Sequence, residues 1–348
     1  MNRFIIPTAF AAVLTGLVSA AANQSPFAFL AVTINLGERE RERLEAGQDI
    51  VKVLPGGDRE VAVVAAIRTS ASPGRLIEWT RDIVGLRRSR YVPLIAKFSD
   101  PPRIEDVEAL ALEDSDLEDL RTCRPASCGL KLGAEEMARL QQQFGRPHNW
   151  KEAVQQEFRR LVVDRVRAYL RDGDFGLPSY DDHSIRIVAT AEVAALTDTI
   201  GLVSPRLPGV AEYLQLYPRL QHPAVVDSLV YWSKETFGGK PVISVTHVIL
   251  LSIEAGGHSS VLAISKQLLA THYRTGALSV TAITDTPAGR YLVYTQRSHV
   301  DVLRGMFGGL LRRMLERRVR DEAPIFLFTT RGRLEGGAPP GQDALFQP

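Results

Sequence analysis

The chain has 348 residues, 45% of them hydrophobic and 24% charged, with 42 basic against 40 acidic side chains and a formal net charge of +2. A chain this long and this apolar can bury a sizeable core as one large domain or two ordinary ones. Its balanced charge supplies no global field directed at nucleic acid or an anionic membrane, so partner identity has to come from local features.

At the N-terminus, Arg3 precedes the apolar run Phe4 to Val18, and Val18-Ser19-Ala20 or Ala20-Ala21-Ala22 supplies the small-residue pattern of a signal-peptidase site. The run is interrupted by Pro7 and Thr8 and is shorter than the roughly 20 apolar residues that span a bilayer. Residues 1–22 therefore read as a cleaved signal peptide, with an N-terminal membrane anchor as the alternative, and the expected location is periplasmic or secreted.

Gly37 to Ala46 reads as a short, highly charged helix. Ile50 to Leu54 and Glu60 to Thr69 read as strands joined by the turn Pro55-Gly56-Gly57-Asp58. Ser72 is placed to cap a helix whose first residue is Pro73, with Leu76, Ile77, Ile83 and Val84 on its apolar side and Trp79 near its middle. Tyr91 to Phe98 is a further strand, and Asp100-Pro101-Pro102 marks a boundary near residue 102.

The next block differs in composition. From Glu105 to Asp119 eight residues are Asp or Glu; the run lacks the Gly that a calcium-binding EF-hand loop needs, and helix solvation and capping account for it. Cys123 and Cys128, the only cysteines, are close enough to form a small disulfide loop in an oxidising compartment. Neither a second ligand pair for zinc nor the haem-attachment pattern accompanies them. Helices follow at about Ala134 to Phe144 and Trp150 to Arg171, the second with Val154, Phe158, Leu161, Val162, Val166 and Tyr169 at helical spacing. After the loop Gly173 to His183, two more helices read at Thr190 to Val203 and Pro208 to Leu216.

Strand character then returns in five long runs, Ala224 to Phe237, Pro241 to Glu254, Ser259 to Tyr273, Ala277 to Thr284 and Arg290 to Arg297. Their short links suit antiparallel hairpins, since parallel pairs need longer crossovers. Val300 to Val319 reads as one amphipathic helix with Val300, Leu303, Phe307, Leu310, Leu311, Met314 and Leu315 as its apolar stripe. The expected fold is α+β: a curved antiparallel sheet gripped by a long C-terminal helix, built from residues 36–102 and 223–320, with a mostly helical insertion or lid at 103–222 and a mostly disordered tail at 321–348.

This order of elements resembles the helix-grip fold of the START and Bet v 1-like superfamily. The segment Thr69 to Trp79, a strand running into a Ser-Pro-started helix, is similar to that superfamily's first strand-to-helix passage, and Val300 to Val319 to its gripping helix. The resemblance covers roughly half the mature chain, is architectural, and departs from the usual pattern in the long helical block. It implies a cavity for lipids, sterols, polyketides or other apolar molecules, although some members are cyclases or hydrolases and others bind proteins.

For chemistry, His247 projects from the otherwise apolar strand face Ile243, Val245, Ile249 and Leu251. As candidate ligand contacts we take His247, Tyr231, Trp232, Phe307 and Leu311. Trp232 and Tyr231 fall on opposite sides of their strand, and either would form a pocket wall with a polar tip, while Phe307 and Leu311 belong to the gripping helix. Lys266, Gln267 and His272 on the next strand are ambiguous, and Ser298 or Asp301 suits a cap or first-turn charge. Asp181-Asp182-His183 offers oxygen and nitrogen donors, but three adjacent residues converge poorly on one ion. Short motifs for serine hydrolases, zinc proteases, phosphate loops and dinucleotide binding are missing, so neither catalytic residues nor a metal or cofactor is assigned. The expectation is an exported, non-enzymatic binding protein for a lipid or other hydrophobic small molecule, with transient membrane contact. The alternatives are a hydrolase or cyclase using His247 as base, and an envelope protein-interaction module with a filled core.

Overall fold

The computed structural model describes residues 38–145, 149–203, 207–236, 239–255, 258–286, 288–305 and 308–336. The signal segment 1–22 lies outside them. Helix α1 (Glu38–Glu45) leads into the hairpin β1 (Ile50–Leu54) and β2 (Glu60–Arg68), followed by α2 (Pro73–Arg81), α3 (Ile83–Arg87) and β3 (Leu94–Lys97). Proline at the first position of α2 fits the helix start, since its missing N–H would be unpaired there anyway. The expected Ser72 cap is not made by the side chain. Asp82 caps the next helix instead, accepting from the Gly85 N–H at 3.2 Å.

Between β3 and the next strand the chain forms α4 (Asp114–Leu120), α5 (Ala134–Gln141), α6 (Trp150–Asp172), α7 (Ala189–Thr199) and α8 (Val210–Leu216). Cys123 and Cys128 are joined by a disulfide. Then come β4 (Val225–Glu235), β5 (Val242–Ala255), β6 (His258–Ala270), β7 (Arg274–Thr286) and β8 (Gly289–Val300), and finally α9 (Gly308–Leu334). The strands form one eight-stranded sheet in the order β1-β2-β8-β7-β6-β5-β4-β3, antiparallel throughout. The fold is α+β, an open antiparallel sheet followed by a C-terminal helix.

Side chains alternate across the strands, and both faces of the sheet carry helices. On one face Val63, Ala65, Val248, Leu250, Ile283 and Leu292 pack with Leu76 and Trp79 of α2 and Leu327 and Leu334 of α9. On the other, Val64, Ile249, Ile264 and Val280 meet Leu196 of α7 and Tyr213 and Leu214 of α8. Beside that cluster, Val230, Trp232 and Val245 meet Leu117, Met137, Phe158 and Val162 of α4, α5 and α6.

The last helix is displaced from its expected span. Val300 ends β8 because its N–H still bonds the Arg59 carbonyl at 2.7 Å, and a 3₁₀ turn at Asp301–Arg304 intervenes before the helix. Past Val319 the helix continues through Pro324 to Leu334, so residues 321–334 are not the disordered tail that composition implied. A proline inside a helix costs about 3 kcal/mol through its missing N–H and ring clash. Tertiary contacts on the far side offset that cost. Leu327 and Leu334 are buried, Arg333 donates to the carbonyls of Leu86 and Arg88, and the Glu335 carboxylate accepts from the Ser70 N–H at 2.8 Å and the Thr69 hydroxyl at 2.9 Å.

The expected apolar stripe at the start of this helix is correspondingly not its packing face. Leu310 is 53% exposed, whereas Leu327 is 1% exposed. Leu327→Ala should therefore cost about 2–5 kcal/mol, the range for emptying a leucine site in a core. Leu310→Ala should stay within about 0.5 kcal/mol. Urea unfolding of the two variants against the parent checks both values.

Candidate functional site

The residues singled out from sequence do not share one site. His247 and Trp232 project from the face that carries α4–α8, while Tyr231 projects from the α2 and α9 face. Leu311 sits half-buried in the first turn of α9, and Phe307 lies outside the described residues. His247 and Trp232 thus share one environment and Tyr231 another, as expected of adjacent strand residues that point to opposite faces.

His247 is 0% exposed, its Nδ1 2.8 Å from the Tyr169 hydroxyl of α6 and its ring 4.8 Å from that of Tyr217. Its strand partner is Lys266, whose ammonium bonds Asp174 Oδ1 at 2.9 Å and lies 4.8 Å from the centre of the Tyr169 ring. Burial, with a smaller contribution from the Lys266 charge, lowers the His247 pKa to about 3. Burial also raises Asp174 and lowers Lys266, each opposed by the other's charge. His247 Nε2 has no hydrogen-bond partner. The imidazole is closed to solvent, and the group ties α6 and the turn after it to the sheet.

Asp182, His183 and Asp301 do come together, with donor atoms within 4.8 Å of one another. Adjacency in sequence groups Asp181 with Asp182 and His183, but Asp181 accepts from the Ala134 N–H, and Asp301 takes its place. Lys131 pairs with both Asp182, at 2.6 Å, and Asp301. The ammonium supplies within the chain the positive charge these carboxylates require. Two open clefts of about 360 and 350 Å³ flank α6 and share Asp164. Arg165 and Arg139 in the first are paired with Glu136 and Glu157.

A different kind of site lies on the α2 and α9 face. In the ladder Gln296 pairs with Ser279 and Ser279 with Ser265; beside them Tyr294 pairs with Thr281, and Ser298 with Ala277. These are central strands, yet Ser265, Ala277, Thr281 and Gln296 are partly exposed. On the opposite face of the same strands Ile264, Leu278, Val280 and Ala282 are closed to solvent. Small side chains at sheet centre thus leave a partly exposed, mostly polar row, here termed the trough.

Aromatic groups and a guanidinium close one end of the trough. Arg87 at the end of α3 donates to the Tyr231 hydroxyl at 3.0 Å and lies 5.9 Å from the ring centres of both Tyr231 and Phe326 of α9. Phe326 in turn packs on Tyr294 at 5.1 Å. The Tyr231 dipole, with Tyr294 and Glu235, holds the Arg87 charge in place against burial. Burial pushes the Tyr294 phenol up to about 12, so it remains a neutral hydroxyl. Among the described residues no carboxylate forms an ion pair with Arg87. Elsewhere on this face Arg274 pairs with Glu235 at 2.6 Å and bonds Ser244 at 2.7 Å, while the buried Gln267 Oε1 accepts no hydrogen bond.

Of the sequence candidates only Tyr231 belongs here. Arg87, Tyr294, Gln296 and Phe326 were missed. The polar alternation Ala277, Ser279, Thr281 and Tyr294, Gln296, Ser298 was the available signal, and Phe326 was obscured by its place in a segment read as tail. No protein-family model matches the chain, and comparison with curated proteins and with solved structures returned no match.

The buried histidine generates a pH prediction. Its folded pKa lies below the unfolded value of 6.5, so the unfolded state takes up a proton first as pH falls. The stability it permits is complete above about pH 6.5 and is lost progressively towards pH 3. By pH 4 the parent should lose roughly 3 kcal/mol more than His247→Leu relative to their values at pH 7. Urea midpoints across that range measure the difference.

Proposed function

We propose that this chain is an exported, non-enzymatic binding protein of helix-grip type that holds an amphipathic small molecule, a lipid or other hydrophobic compound bearing an anionic group. The observation that carries this reading is the partly exposed polar row at the centre of the sheet, with the Arg87 guanidinium at its end, bonded to the Tyr231 hydroxyl and without a carboxylate ion pair among the described residues. On this reading α9 grips the sheet, and the helices of residues 103–222 form an insertion that covers the opposite face.

The chemistry follows from the donors and surfaces in place. Arg87 is a planar, permanently charged donor suited to a carboxylate or phosphate. The partly exposed Phe326, Val61 and Ala277 offer apolar surface, with Tyr231 and Tyr294 buried behind them, and each Å² removed from water contributes roughly 25 cal/mol. Gln267 Oε1 awaits a hydroxyl or amide donor. The disulfide supports an oxidising compartment. The sealed, neutral His247 weighs against a hydrolase or cyclase that would use it as base. The packed clusters on both faces of the sheet favour, as a second reading, an envelope protein-interaction module.

The test is to express the chain from residue 23 behind an export leader, purify it, extract it with organic solvent and identify the extract by mass spectrometry. A reproducible stoichiometric amphipathic anion is expected. Arg87→Met should weaken its rebinding by about tenfold or more, the value of one charge-assisted contact. An empty extract, together with no thermal stabilisation by fatty-acid or phospholipid anions, would set this reading aside for the protein-interaction one.

A further inference from the structure

The outward side of α9 carries large apolar side chains that nothing among the described residues covers. Leu310, Met314, Ile325 and Phe328 are 53%, 60%, 53% and 63% exposed. At 3.6 residues per turn these four positions fall within about 60° of one another, forming one line along the helix. Leu327 and Leu334 occupy the buried side. The exposed line is therefore additional to the packing face and contributes nothing to the core.

Beside the line stand Arg313 and Arg317, both exposed and neither ion-paired among the described residues. Arg320, also exposed, is paired with Glu316 at 3.7 Å. The exposed Asp321 interrupts the line and divides it into two halves. The first joins Leu310 and Met314 to Arg313 and Arg317. The second joins Ile325 and Phe328 to Arg331, whose guanidinium lies 4.9 Å from the Phe328 ring centre and which is itself paired with Glu335 at 3.9 Å.

We infer that this face docks the protein on an anionic lipid surface. The first half of α9 places Leu310 and Met314 at the acyl boundary, and Arg313 and Arg317 reach lipid phosphates. Charge complementarity selects this occupant: two guanidinium groups without an ion pair among the described residues, next to two apolar side chains, match a headgroup layer with hydrocarbon beneath it. A second copy of the chain, meeting this half symmetrically, would bring the same arginines against each other. No described helix is long and apolar enough to cross a membrane, and the two-sided pattern of α9 suits a position along the interface. The inference goes beyond ligand binding in the trough and does not depend on it.

The experiment is co-sedimentation of the chain from residue 23 with phosphatidylcholine vesicles, with and without phosphatidylglycerol, at low and physiological salt, accompanied by light scattering of the free protein. Binding is expected to the anionic vesicles and to weaken as salt rises. Arg313→Glu with Arg317→Glu should lower it about tenfold or more, and Leu310→Ser with Met314→Ser should lower it comparably. Both double variants should unfold in urea like the parent, because the altered side chains are exposed. Arg87→Met should leave vesicle binding unchanged, which separates this surface from the trough. Equal binding to neutral and anionic vesicles, or no binding to either, would overturn the inference. So would self-association of the parent that these substitutions abolish while vesicle binding persists.

Discussion

A sheet with helices against both of its faces must supply two apolar surfaces from every central strand, and that constraint organises this molecule. β5 meets it with Val248 and Leu250 on one side and Val245, Ile249 and Leu251 on the other. Wherever a central strand departs from it, the polar group has to be paired, sealed in a network or left in contact with water. The chain uses all three outcomes, and they differ in what they permit.

Lys266 with Asp174, and His247 with Tyr169, are the sealed outcome. Removing two charges from water is costly, and their attraction repays it only when geometry and further hydrogen bonds are good. Here the lysine also bonds the Leu214 carbonyl, at 3.3 Å. Such a group joins α6 and α8 to one strand position and so selects a single register for helices that apolar contacts alone would hold less specifically. Gln296 is paired, accepting from the Tyr294 hydroxyl and donating to Ser298 Oγ at 2.8 Å, while Ser265 and Thr281 are the open outcome, left in contact with water.

Much of the sheet was legible because antiparallel hairpins are local. Short links and period-two alternation delimit β4 to β8 without knowledge of what covers them, and the turn at residues 55–58 does the same for β1 and β2. The last helix was legible only in part. Composition near Pro324 argues for a stop, whereas Leu327, Leu334, Arg333 and Glu335 find partners in β2, α2 and α3 that are distant in sequence. The site was the least legible. His247 stands out in the sequence because it is polar in an apolar row, but such a residue is the one most easily sealed by a neighbour on another element, here Tyr169. The trough is built from Ser, Thr and Ala, whose individual identities carry little signal until the register aligns them.

The pairing of β2 with β8 sets a condition on how the molecule comes to exist. The Thr295 hydroxyl bonds the Val63 carbonyl across 232 positions of sequence. The hairpin made first can thus join the sheet only when almost the whole chain is available. An isolated two-stranded hairpin is marginal in water, and its open edge invites pairing with other chains. During synthesis, β1 and β2 must therefore be kept from premature partners while some two hundred residues follow them. A chain passed through a membrane unfolded and released whole would meet that condition by delivering β2 and β8 to the same compartment together.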